Sequence, residues 1–171
     1  MFLITKKKKI STLGGIIELE HLEKQVRITL NLENIPKIIP INVGIPGYYL
    51  TVGVPHFIVF LTDQKSPPEL DQLGKKISQH PFFSKGTNVD FVTYLENDIW
   101  KLTTWERGVG LSLACGTGAM SVGVLNAFLF GKATSHIQYE KYSIQANFFD
   151  KKVSLTGDLP EKIAEGTTCL I

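Results

Sequence analysis

Apolar and polar positions alternate cleanly from Gln25 to Leu32: Val26, Ile28, Leu30 and Leu32 face one way, Arg27, Thr29 and Asn31 the other. A period of two over that length predicts a strand with one buried face. The preceding GGIIELEH predicts its partner strand, with Gly14 and Gly15 marking the start and Leu22 to Lys24 the connection. Tyr48 to Val54 and Phe57 to Leu61 are rich in β formers. Pro55 between them has no amide hydrogen to give a ladder, which predicts a turn or bulge there. Ser66-Pro67-Pro68-Glu69 has the order of a helix start, an N-cap serine, proline at the first helical position and an acid in the first turn. A short surface helix is expected from there to about Gln79. Asn88 to Leu95 and Ile99 to Thr104 return to strand chemistry, with Glu96-Asn97-Asp98 as the turn between them.

From Gly116 the period changes. Ala119, Met120, Val122, Val124, Leu125, Ala127, Phe128, Leu129 and Phe130 make a helix apolar nearly all round, which must be buried on most of its circumference. Gly131 suits its C-cap. Strands resume through Ile137 to Phe149 and Lys152 to Thr156. Many short strands, one buried helix and one surface helix predict an α+β domain, a mostly antiparallel sheet wrapped round a central helix. No internal repeat or low-complexity linker divides the 171 residues, so a single domain is expected.

Composition narrows the partners. The net charge of +2, from 18 basic and 16 acidic residues, is too small an imbalance for a nucleic-acid footprint. The run Lys6 to Lys9 reads as a solvated segment near a chain end. No apolar stretch approaches the ~20 residues of a membrane span, and MFLITKKKKI places its apolar residues before its charges, unlike a signal peptide. The expectation is a cytoplasmic protein without a membrane partner. The two cysteines, Cys115 and Cys169, form no CxxC pair and stand in no zinc spacing, so neither a disulfide framework nor a metal site is expected. Cys169, in TTCLI, reads as a small buried hydrophobe.

Cys115 is different, because ERGVGLSLACGTGA, Glu106 to Ala119, sets it on a glycine-punctuated turn just before the apolar helix. Unpaired amides and the positive end of the helix dipole favour a thiolate there and can hold an anion beside it. Proton abstraction and nucleophilic attack on a carboxylate-bearing substrate both suit such a site. The glycines also resemble a phosphate cradle, but no lysine follows them and the GxxxxGK[ST] spacing is absent. A cysteine hydrolase would need a histidine base, for which His56 is the best candidate.

The same stretch resembles the signature of the diaminopimelate epimerases, cofactor-independent isomerases that interconvert LL- and meso-diaminopimelate in lysine and peptidoglycan biosynthesis. ISTLGGIIELE, VGVPHFIVF, HPFFSKGTNVDFV and VSLTGDLPEKIAEGT agree with further family stretches in order and spacing, so the resemblance covers nearly the whole chain. It implies that Cys115 is one of two acid/base cysteines acting on opposite faces of an amino-acid α-carbon. The amides of Gly116 and Thr117 would hold the substrate α-carboxylate and stabilise charge developing in the transition state. Glu106 and Arg107 match the pair that contacts the substrate amino group and distal carboxylate, Asn88 a position that binds the distal end, and His56 and Glu106 positions that tune the thiols. No cofactor and no metal are implied.

Two departures qualify the match. Val54 stands where the family carries a substrate-contacting asparagine, and valine can neither donate nor accept; Ser112 for threonine is milder. The resemblance also begins near the family's domain divide and covers its second, C-terminal half only, without the first-half motif that carries the other cysteine. An excised domain, one product of a split gene and a remnant all fit that. Three functions follow: an epimerase half that works with a separate N-terminal-half polypeptide, a non-catalytic binding or remnant domain, and a racemase of another amino acid. An isolated half should expose an apolar patch around Cys115, so self-association is expected.

Overall fold

The computed structural model describes residues 7–12, 15–63, 65–96 and 98–158. The alternating segment forms β3 (Gln25–Asn31), and its predicted partner is β2 (Gly15–Leu22), joined to it through a turn at Glu23 with φ +38°. Leu30 of β3 faces inward, with Ile17 and Ile28 packed beside the same core. Outside them lies β1 (Lys7–Thr12), whose lysines are exposed along the sheet edge, Lys7 and Lys9 paired with Glu20 and Glu18. Lys7 to Lys9 of the charged run are thus solvated, as expected, and lie in an edge strand of the described sheet. Lysines on an edge discourage pairing with another chain, which explains their place.

The remaining strands are β4 (Ile39–Asn42), β5 (Pro46–Val52), β6 (Val54–Phe60), β7 (Asn88–Tyr94), β8 (Ile99–Glu106), β9 (Gly110–Ser112), β10 (Thr134–Gln138), β11 (Ser143–Phe149) and β12 (Lys152–Asp158). They form one sheet in the order β1-β2-β3-β12-β11-β10-β8-β7-β6-β5-β4, with β9 added to β8. Only β6 with β7 and β10 with β8 are parallel. Each of those pairs is bridged by a helix, α1 (Pro67–Ser78) and α2 (Gly116–Phe130). Pro55 lies inside β6, opposite Thr51, and the chain reverses instead at Gly53, which takes φ +70°. Glycine reaches that conformation without Cβ strain, so it makes the turn, while Pro55 sits ahead of the β6–β7 ladder, which begins at His56.

Strands β6 to β8 are covered on both faces, which decides where their alternate residues go. Phe57, Val59, Val89, Phe91 and Trp105 point to α1 and build one core with Leu70 and Ile77. Ile58, Val92, Leu102 and Trp100 point the other way, to a larger core around α2. The sheet wraps that helix with β5, β6, β10, β11 and β12, as the sequence predicts for a helix with no polar face. Gly123 permits the approach, since a Cβ there would lie 2.9 Å from the Ala146 Cβ. Burial of the helix is complete from Gly118 to Asn126 but not beyond. Phe128, Leu129 and Phe130 emerge past the sheet, Phe128 against Phe148 and Phe130 stacked on Trp100. Gly131 then closes the helix in the left-handed region, φ +68°. Among the described residues no helix is long and apolar enough to cross a membrane. Cys169 and the end of the stretch VSLTGDLPEKIAEGT lie outside the described residues.

Candidate functional site

Helix α2 begins where the glycine-punctuated turn ends, and Cys115 is its N-cap, extended at φ −130°, ψ 110°. Its Sγ lies 3.5 Å from Thr117 Oγ1, and its carbonyl accepts a hydrogen bond from the Tyr139 hydroxyl at 2.8 Å. The position agrees with the sequence; the protonation state does not. Burial pushes the thiol pKa up to about 12, the nearby Asp90 carboxylate adds to the rise, and Glu106 contributes further. The hydrogen-bond contacts of the sulfur with the Thr117 hydroxyl and the Gly118 amide oppose the shift without cancelling it. A helix N-terminus stabilises a thiolate by a fraction of a unit charge, whereas removing that anion from water costs more. Cys115 is thus a thiol in this state.

Three adjacent strands deliver the polar groups behind it. His56 on β6, Asp90 on β7 and Thr104 on β8 all lie on the face that meets the first turn of α2, and all are fully buried. His56 Nε2 is 3.0 Å from Thr117 Oγ1, its Nδ1 is 2.7 Å from Asp90 Oδ2, and the Thr104 hydroxyl donates to Asp90 Oδ1 at 2.7 Å. Gly118 lets this layer touch the helix, because a Cβ there would sit 2.6 Å from Asp90 Oδ1 and 3.0 Å from Thr104 Oγ1. Asp90 and Thr104 have no prominent motif in the sequence. Their one signal is an aspartate at the centre of the apolar strand NVDFVTY, where burial requires a partner.

In front of the helix opens a cleft of about 500 Å³. Asn88, Glu106, Arg107, Gly116 and Thr117 line it together, so five of the expected site residues converge on one space. Asn88 and Arg107 are tied to each other, the Arg107 amide donating to Asn88 Oδ1 at 2.9 Å. The Arg107 guanidinium reaches the Lys85 carbonyl at 2.6 Å. Cys115 and His56 stand behind this wall, coupled to it through Thr117. The rest of the lining is largely apolar, with Ile17, Ile28, Leu30, Val54, Met120 and Leu155. Val54 therefore does face the candidate ligand space. Val109 and Leu113, on either side of β9 in the chain, are 77% and 73% exposed. Among the described residues no three histidine, cysteine, aspartate or glutamate side chains are grouped to hold a metal ion.

The chain is similar to known proteins in sequence and in fold. The family model for diaminopimelate epimerase matches residues 48–155. The chain is 42% identical over 94 residues to the diaminopimelate epimerase of Hydrogenobaculum sp., covering 53% of this chain and 34% of that protein. It is 36% identical over 149 residues to that of Carboxydothermus hydrogenoformans, covering 78% and 52%. The chain thus spans about half or less of the length of these relatives. A crystal structure of a probable proline racemase from Agrobacterium radiobacter K84 superposes with a TM-score of 0.62 at 16% identity, over 92% of this chain and 59% of that one, a likeness of fold. Since the matched region, more than half of the chain, contains the Cys115 turn and every residue of the buried layer behind it, this protein belongs to the diaminopimelate epimerase family.

Proposed function

We propose that this chain carries one of the two acid/base cysteines of a diaminopimelate epimerase, acting in the cytoplasm in the biosynthesis of lysine and peptidoglycan. The reading rests on the convergence of Asn88, Glu106, Arg107, Gly116 and Thr117 on one cleft at the helix start that Cys115 caps. A carboxylate accepting from the Gly116 and Thr117 amides has its charge offset by the helix dipole, and the same donors lower the cost of charge developing at the α-carbon. Glu106 receives the substrate amino group. Arg107 turns its planar fork from the Lys85 carbonyl to the distal carboxylate, beside Asn88. Cys115, held protonated by burial, delivers a proton to one face of the α-carbon and takes it back in the reverse direction.

Inversion also needs an acid/base group on the other face, and Cys115 is the only cysteine among the described residues. The partner cysteine comes from the first-half fold that the relatives' additional length implies, in this polypeptide or another. Its docking face is the apolar cleft wall with Val109 and Leu113, which would otherwise favour self-association. Val54 on that wall favours a second reading, a racemase whose substrate lacks a distal amino acid group.

Deuterium exchange at the α-carbon of LL-diaminopimelate, followed by NMR in deuterated water, tests this with the chain alone and with a first-half polypeptide. Exchange is expected only with both, and Cys115→Ala should lower it by about 10²–10⁴-fold. Robust turnover by residues 1–171 alone would show that the second acid/base is already present. No exchange, in halves shown to associate, with a simpler amino acid turned over instead would support the racemase; with none turned over, a binding or remnant domain.

A further inference from the structure

The layer behind Cys115 admits one consistent order of donors and acceptors when Asp90 accepts through both of its oxygens. Asp90 is a fully buried carboxylate that uses both oxygens, Oδ1 for the Thr104 hydroxyl and Oδ2 for His56 Nδ1, each at 2.7 Å. Beside a carboxylate that accepts through both oxygens, a neutral imidazole carries its hydrogen on Nδ1 and keeps its lone pair on Nε2. The group at Nε2 is the Thr117 hydroxyl, 3.0 Å away, which must then donate. Its oxygen remains free to accept, and Cys115 Sγ at 3.5 Å is placed to donate to it. The order is S–H to O–H to Nε2, with Nδ1–H to the carboxylate. Gly118, without a Cβ, lets Asp90 and Thr104 pack directly on the turn that holds Cys115 and Thr117.

We propose that Asp90, held by Thr104, positions His56 as the terminal acceptor of a Cys115–Thr117–His56 proton path, so that the thiol proton reaches Nε2 through the Thr117 hydroxyl. The S–H bond breaks as Thr117 Oγ1 takes that hydrogen, and the hydroxyl's own hydrogen passes to Nε2. A thiolate and an imidazolium result, the latter still bonded through Nδ1–H to Asp90; the reverse shift restores the thiol. Transfer within the layer leaves the new charges paired, whereas loss of the proton to water would strand a buried thiolate near Asp90 and Glu106, with Tyr139 also close by. The arrangement parallels hydrolase triads, in which a buried carboxylate fixes the tautomer of a histidine that serves a neighbouring nucleophile. The path rests on the acid/base reading of Cys115, and gives Asp90 and Thr104 a positioning role that motif matching does not assign.

Imidazole nitrogen NMR of the full chain with isotope-labelled histidine tests it, the His56 signals being assigned by their loss in His56→Gln. The expected state is a protonated Nδ1 and a bare Nε2; a protonated Nε2 overturns the proposal. In Asp90→Asn, the carboxamide oxygen keeps Thr104 and the amide turns to Nδ1, so the hydrogen should move to Nε2. Alkylation of Cys115 by iodoacetamide near neutral pH, read on the Cys115 peptide by mass, should then slow by about tenfold or more. A carboxylate acting only as a nearby negative charge predicts the opposite, faster alkylation, and an equal or faster rate overturns the path. Should Asp90→Asn fail to fold, Thr117→Val must slow alkylation and Thr117→Ser restore it; a Val variant as fast as wild type overturns it. None of these readouts needs substrate or a first half. A correct tautomer without epimerisation would therefore count against the assigned reaction alone, and a wrong tautomer in an active epimerase against the path alone.

Discussion

The two helices begin in opposite ways. At α1 the Ser66 amide and hydroxyl both donate to the Glu69 carboxylate, at 2.8 and 2.6 Å, and Pro67 and Pro68 contribute no amide hydrogens to the first turn. An acid at the positive end of the dipole completes the termination. At α2 the cap is a cysteine whose sulfur gives the Gly118 amide only a weak acceptor, no acid follows in the first turn, and two of the next three residues are glycine. The amides of Gly116 and Thr117, as the first of the helix, have no acceptor in a preceding turn. The helix that covers the sheet satisfies its own end; the one that opens on the cleft turns its first residues, Gly116 and Thr117, to that space. The packing behind them differs in the same sense. Gly74 of α1 rests on Trp105, whose indole donates to Asp71 at 3.0 Å, while Gly118 of α2 rests on the Asp90 and Thr104 side chains.

The contrast is sharpest at high pH. Because the native Cys115 thiol titrates near 12 and an ordinary one near 9, the folded chain holds this proton more tightly than the unfolded chain. That stabilisation is complete below pH 9 and is lost as pH rises towards 12. The difference in unfolding free energy between wild type and Cys115→Ala should shrink across this window by about 4 kcal/mol, measured by urea unfolding. A constant difference would mean that the thiol is not held protonated.

Gly118→Ala should come next, destabilising the chain by about 3 kcal/mol, since its Cβ meets a short, fully buried side chain that cannot move aside. It should also change Cys115 alkylation, because Asp90 must shift. Calorimetry with the alkylation assay would break the comparison if the variant kept wild-type values in both.

The smallest effect belongs to α1. The Ser66 hydroxyl and amide hold the Glu69 carboxyl below its ordinary pKa, so Glu69 contributes stability above the usual carboxylate range and loses it as pH falls through the lowered value. Glu69→Gln should lower Tm slightly at neutral pH, with no difference at strongly acidic pH and no change in Cys115 reactivity. Altered reactivity would mean that the two helix ends are coupled.

Local chemistry left a legible record wherever it acted within a few residues. The period of two in β2 and β3, the Ser66–Glu69 start of α1, the apolar run of α2 and its Gly131 cap are all contacts between near neighbours in the chain. The Cys115 turn was legible for the same reason, and so were Asn88, Glu106 and Arg107 through their resemblance to a known family. Pro55 lies within a strand because a proline is tolerated where no ladder needs its amide, and that depends on β7 starting beside His56 rather than beside Pro55. Phe128 to Phe130 misled because apolar character requires burial only where a sheet is there to provide it.

By itself the sequence determined the element types and the placing of a cysteine at a helix start, because each depends on local spacing, and its resemblance to known proteins carried the family. Tertiary structure alone decided the state of the cysteine and its neighbours. A parallel pairing of β6 with β7 and an antiparallel pairing of β7 with β8 bring His56, Asp90 and Thr104, far apart in sequence, to one layer under Gly118. Desolvation depends on everything packed around a group and not on its neighbours along the chain. A residue that local rules mark as a thiolate is thus kept as a thiol, with its proton pointed toward a base.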